Sequence, residues 1–147
     1  MKRLLHLAKR AWTSIDNRPI PYQHVEKVER ILTPDEFMWW WKLEPRDQAH
    51  SIVVYERFMK LIPYAKRDEQ AAVLLHDIGK LESSLSWTMR VVATIVGPRG
   101  KRFSSYHNHE TIAVEMLSSV CSERTLAMLR GDVEELYVSA LREADNI

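Results

Sequence analysis

The chain is short of the residues that crosslink a fold and of those that interrupt regular structure. Cysteine occurs once, at Cys121, among 147 residues, so no intramolecular disulfide framework is available. Glycine is scarce, 4 in all, and few stretches alternate apolar with polar residues. Both features argue against a strand-and-turn architecture and for an all-helical protein. No apolar run approaches the roughly 20 residues that span a bilayer. Charge of one sign is also lacking. There are 21 basic and 20 acidic residues, a net charge of +1, and so no overall field that would favour nucleic acid or an anionic membrane. The first residues, Met1-Lys2-Arg3-Leu4-Leu5-His6-Leu7, open like a secretory signal, but Lys9 and Arg10 interrupt the apolar part at once. The expectation is a cytoplasmic protein. What is abundant is hydrophobic content, 46% of the chain, which suits one domain with a real core.

Residues 2–15 carry Leu4, Leu5, Leu7, Ala8, Ala11, Trp12 and Ile15 at helical spacing. Packing on the core is the expected role, with a membrane-surface role as the alternative. Asn17-Arg18-Pro19-Ile20-Pro21 breaks this helix. Residues 22–32 are ambiguous, a short helix being one reading. Thr33-Pro34-Asp35-Glu36 is a helix start, with an N-cap threonine, proline at the first position and acids in the first turn. It opens Phe37-Met38-Trp39-Trp40-Trp41. Neighbours on a helix point about 100° apart, so three consecutive indoles cannot all face inward. One or two are expected in the core and another over a surface or pocket rim, with a base-stacking platform as the alternative. Glu44-Pro45-Arg46-Asp47 starts a further helix to Leu61, with an expected inward stripe of His50, Val53, Val54, Arg57, Phe58 and Leu61.

After the turn at Pro63-Tyr64, the run Ala71-Ala72-Val73-Leu74-Leu75 leads directly into His76-Asp77-Ile78-Gly79-Lys80. Such a run is normally a buried helix, and Gly79 can take the left-handed conformation that ends one. A buried carboxylate without a partner is costly. A divalent metal is one good partner for the His76-Asp77 pair. Backbone hydrogen bonding of His76, with Asp77 as a helix-end carboxylate, is the other reading. An antiparallel pairing of the two helices would bring His50 alongside His76.

The stretch His76-Asp77-Ile78-Gly79-Lys80 resembles the signature of the HD superfamily of metal-dependent phosphohydrolases. The likeness extends over residues 48–145 and implies an all-α helical bundle. It assigns residues 45–147 to an HD-type metal-binding domain, with residues 1–44 as a short N-terminal helical extension. It also implies that His50, His76, Asp77 and Asp145 bind one divalent ion: Mn, Fe, Ni, Co, Mg or Zn. Downstream, the HD-containing part of bacterial tRNA nucleotidyltransferases similarly runs through an aromatic residue, a His-Glu pair and an amphipathic helix. By that match His109-Glu110 is the corresponding pair, and His107 lies two residues before it. No histidine follows His109, which argues against the dinuclear branches of the superfamily.

The activity implied is hydrolysis of a phosphate ester of a small molecule, a nucleotide among the candidates, by metal-activated water. Asp77, Lys80 and His109 would be catalytic. Arg99, Lys101 and Arg102, in the loop 97–102, would join His107 in holding phosphate. Two alternatives are an HD-fold module that senses a nucleotide or a protein without catalysis, and an accessory in RNA processing. The balanced charge counts against the second. Towards the end of the chain, Ser122 is expected to cap a short helix stopping at Gly131. A last helix over residues 132–144, with Leu136, Tyr137, Ala140, Leu141 and Ala144 inward, delivers Asp145.

Overall fold

A computed structural model of the chain describes residues 18–83 and 109–146. The helix expected over 2–15, the basic loop with Arg99, Lys101 and Arg102, and His107 lie outside the described residues. All regular structure among the described residues is helical. In order the elements are α1 (Tyr22–Ile31), α2 (Pro34–Trp41), α3 (Pro45–Leu61), α4 (Arg67–Leu75), the single turn α5 (Lys80–Ser83), α6 (His109–Leu117), α7 (Glu123–Arg130) and α8 (Glu135–Asp145). The ambiguous stretch after Pro21 is thus a helix, started by the proline-rich break and followed by extended backbone at Leu32.

Helix α4 is the centre of the bundle. It packs against α1, α2, α3 and α7, and Ala71, Ala72, Val73, Leu74 and Leu75 are all completely buried. With neighbours on every side, a helix has no wet face to make polar, which is why its sequence reads as an unbroken apolar run. Helix α3 lies between α4 and α8.

The expected stripe on α3 needs correction. Val53 and Leu61 are exposed, and the buried side chains are Asp47, Gln48, Ser51, Ile52, Val54, Tyr55 and Phe58. The cause is the pair of neighbours. Ser51 accepts a hydrogen bond from the buried Trp40 indole of α2 (2.9 Å), and the Tyr55 hydroxyl donates to Gln70 Oε1 on α4 (3.0 Å). His50 and Arg57 turn the other way, towards Asp145 and the Glu143 carbonyl of α8. Leu136 is likewise exposed at the open start of α8, whereas Ala140 and Ala144 are buried as expected.

The starts and stops follow local chemistry. Thr33 and Glu36 form a reciprocal capping box. Glu36 is fully buried and accepts a salt bridge from Arg67 at the first position of α4 (2.7 Å), which ties α2 to the central helix. The Ser122 side chain accepts from the Thr125 amide. Gly131 ends α7 with φ 78°, the left-handed conformation that a glycine adopts without steric cost. The three indoles divide as anticipated: Trp40 is in the core, Trp41 is exposed and stacks on Phe37, and Trp39 is half-buried beneath the Lys42 ammonium, 4.1 Å from the ring centroid.

Candidate metal centre

Helix α4 stops at Leu75, not at Gly79. His76 caps it in a right-handed conformation (φ −59°, ψ −26°), and residues 76–79 form a tight turn. The Ile78, Lys80 and Leu81 amides bond back to the carbonyls three residues earlier. This turn presents His76 and Asp77 to the same space and starts α5 at Lys80.

His76 is almost completely buried. Its Nδ1 lies 2.6 Å from the Val73 carbonyl, and a carbonyl can only accept, so Nδ1 carries a proton. In the neutral imidazole Nε2 then bears the lone pair. That buried atom has no hydrogen-bond partner. It faces Asp145 Oδ1 at 3.5 Å and Asp77 Oδ1 at 3.6 Å. His50 approaches from α3, its Nε2 2.8 Å from Asp145 Oδ1 and 3.8 Å from Asp77 Oδ2. Donor atoms of His50, His76 and Asp77 all lie within 4.8 Å of one another. Asp145, the last residue of α8, lies beside the two imidazoles, half-exposed.

These separations fit a cation. Metal–ligand bonds of about 2.1 Å put neighbouring donors about 3 Å apart and opposite donors about 4.2 Å apart. The His50, His76 and Asp77 donors are therefore spaced as one divalent ion needs, with Asp145 held against His50 beside them. Two imidazoles and a carboxylate suit a borderline or hard divalent metal.

The electrostatics point the same way. Burial opposes the His76 imidazolium, but the Asp77 and Asp145 carboxylates and the Val73 carbonyl push its pKa up to about 9. Burial also opposes the Asp77 charge, yet His76, Lys80 and His50 hold that carboxyl well below the usual range. Asp145 is depressed by His50 and His76 against the same opposition. Two carboxylates thus stay ionised and draw positive charge towards themselves. A divalent ion would supply it by displacing a proton from His76.

Lys80 is the site's fixed cation. Its Nζ donates to Asp77 Oδ2 at 2.6 Å and lies 3.8 Å from Asp47 Oδ1. His109 begins α6, which packs against α5 and α7. Beside Asp145 an open recess of about 450 Å³ is lined by Ser139, Arg142, Glu143 and Asn146.

None of the family models, curated proteins or solved structures compared with the chain matches it.

Of the site residues expected from sequence, the fold gathers His50, His76, Asp77, Lys80 and Asp145. Sequence reading missed Asp47 and Arg142. Each had a signal, because Asp47 stands three residues before His50 and Arg142 three before Asp145. On a helix that spacing puts both partners on one face. No helix among the described residues is long and apolar enough to cross a membrane.

Proposed function

We propose that the chain is a mononuclear, metal-dependent phosphohydrolase of the HD type, acting on a phosphate ester of a small molecule such as a nucleotide. The observation that carries this reading is the His76 Nε2 atom. It is buried, without a hydrogen-bond partner, and aimed at two carboxylates held ionised. A purely structural histidine at that depth would normally satisfy both ring nitrogens. The order of the gathered groups adds support: a histidine from α3, a His-Asp pair after α4 and an aspartate at the end of α8 follow the order the family resemblance implies.

A bound divalent ion would supply a Lewis acid for a phosphoryl oxygen and would acidify water. The chain's own residues divide the remaining work. Val73 fixes the tautomer of His76, so that Nε2 is the donor atom. His50 and Asp145 form a hydrogen-bonded pair that brings an α3 ligand and an α8 ligand to the same point. Lys80, close to Asp77, is placed to offset negative charge growing on a phosphate. The recess beside Asp145 offers room for the rest of a small substrate, with Arg142 as a guanidinium for its anionic groups.

The test is elemental analysis of the purified chain together with a screen of phosphomonoesters and phosphodiesters in Mn, Ni, Co and Mg. About one equivalent of metal per chain, as a single ligand set with open positions demands, and phosphate release that Asp77→Asn and EDTA both abolish are expected. Release unchanged in Asp77→Asn would overturn the site. Metal without turnover on any ester would replace hydrolysis by a sensing role.

A further inference from the structure

Two side chains of α3 reach the last turn of α8. His50 Nε2 lies 2.8 Å from Asp145 Oδ1, and Arg57 Nη2 donates to the Glu143 carbonyl at 3.4 Å. Arg57 follows His50 by two helical turns, so the two anchors share a face of α3 and stand about 10 Å apart along it. Glu143 is in the final turn of α8, where carbonyls lack the amide four residues on. It receives the Asn146 amide, which is divided between Arg142 and Glu143 at 3.2 and 3.3 Å. Asp145 itself is an anion at the negative end of a helix, with its side chain 42% exposed. Neither condition favours its staying at the metal centre, so the tie to α3 matters.

The two anchors respond differently to an ion. His50 Nε2 can carry the proton shared with Asp145 or give its lone pair to a metal, but not both. When an ion takes that nitrogen, the hydrogen bond to Asp145 is lost. The Arg57 bond uses no ligand atom and can persist. Its guanidinium also complements the negative end of α8.

We propose that Arg57 is a positioning residue, which holds the last turn of α8 against α3 so that Asp145 stays at the metal centre once His50 has given Nε2 to the ion. The inference rests on the metal-centre reading above, with Asp145 as a ligand. Arg57 acts through the Glu143 backbone, two residues before Asp145, and tunes metal affinity without being a ligand.

The experiment is titration calorimetry of Ni(II) into the full chain stripped of metal, as a double-mutant cycle of Arg57→Met and Asp145→Ala. Such a site holds Ni(II) more tightly than Mn(II), which keeps Asp145→Ala measurable. Arg57→Met keeps the apolar stem and is expected to weaken binding about two- to fivefold, the effect of one cation at a helix C-terminus. Arg57→Lys should restore most of the affinity. In the Asp145→Ala background Arg57→Met should change nothing, because no carboxylate is left to hold in place. Circular dichroism checks that each variant folds, and Arg57→Leu replaces Arg57→Met if the latter does not. Equal affinity of Arg57→Met and the parent would overturn the proposal. So would a loss of the same size in both backgrounds, which would mean that Arg57 supports the fold and not Asp145. An Asp145→Ala variant that bound as tightly as the parent would also overturn it, while leaving His50, His76 and Asp77 as the centre. If the unsubstituted chain bound no Ni(II), the metal-centre reading itself would fall, and that result is distinct from the other three.

Discussion

Replacing His76 with alanine separates the metal centre from the fold that builds it. The side chain is buried and held by one hydrogen bond to the Val73 carbonyl at 2.6 Å. Without metal, His76→Ala leaves that carbonyl unpaired and takes a positive neighbour from Asp77, at a cost of about 2 kcal/mol. An ion that binds only the folded chain, present at a hundred times its Kd, stabilises the parent by about 2.7 kcal/mol. For a domain of this size 1 kcal/mol moves Tm by about 2–4 °C. The parent should therefore melt about 8 °C higher with saturating Mn(II) or Zn(II) than in EDTA. His76→Ala should melt about 6 °C lower than the parent in EDTA and gain almost nothing from metal. The assay is thermal melting followed by far-ultraviolet circular dichroism in EDTA and in metal, with native helical content at 20 °C as the check on folding. A His76→Ala protein that kept the parent's metal-induced shift would refute the assignment of Nε2 as a ligand.

Two further outcomes follow from the site and its surroundings. Because folding raises the His76 pKa from 6.5 to about 9, its contribution is complete below about pH 6.5 and is lost as pH rises through 9. Asp77 and Asp145 are depressed by folding, so theirs is complete above about pH 4 and is lost as pH falls further. Tm in EDTA should thus be highest between about pH 4 and 6.5, and a maximum above pH 8 would contradict the charge assignment. Separately, burial and the neighbouring Glu36 push the Cys121 thiol from 9.0 up to about 12. Its thiolate is then about a thousandfold rarer than that of a free cysteine, so iodoacetamide at pH 8 should label the urea-unfolded chain far faster than the native one. Equal labelling rates would count against that burial.

The all-helical architecture was legible because its signals are local. Thr33 with Glu36, Ser122 with Thr125, and Gly131 are start and stop chemistry that needs no distant partner. The apolar run ending at Leu75 marked the central helix for the same reason that it is central. What sequence could not show was which helix faces which. On α3 the apolar residues spread around more than one face, and only the positions of α2, α4 and α8 decide that Ser51 and Tyr55 turn inward while Val53 and Leu61 face solvent. Gly79 misled for a related reason. A glycine after a helical run reads as a terminator, but here the chain turns at His76 and re-enters a helix at Lys80.

The candidate site divides along the same line. His50, His76, Asp77 and Asp145 could be nominated from residue types and family resemblance, and the fold brings them together across as many as 95 positions of sequence. The atoms that give the cluster its chemistry were not readable. That Nε2 of His76 is the donor follows from the Val73 carbonyl holding Nδ1, one helical turn back in the same chain. A side chain in that position could equally have bonded through Nε2 and left the carboxylates without a ligand between them. Lys80 illustrates the point from the other side. The motif places it three residues after Asp77 on any helical turn, but its second carboxylate comes from α3, and only the packing of α3 against the end of α4 puts Asp47 within reach. Motif and composition thus nominate groups, whereas the ring nitrogen left facing the carboxylates and the choice of carboxylate oxygen are properties of how three helices meet.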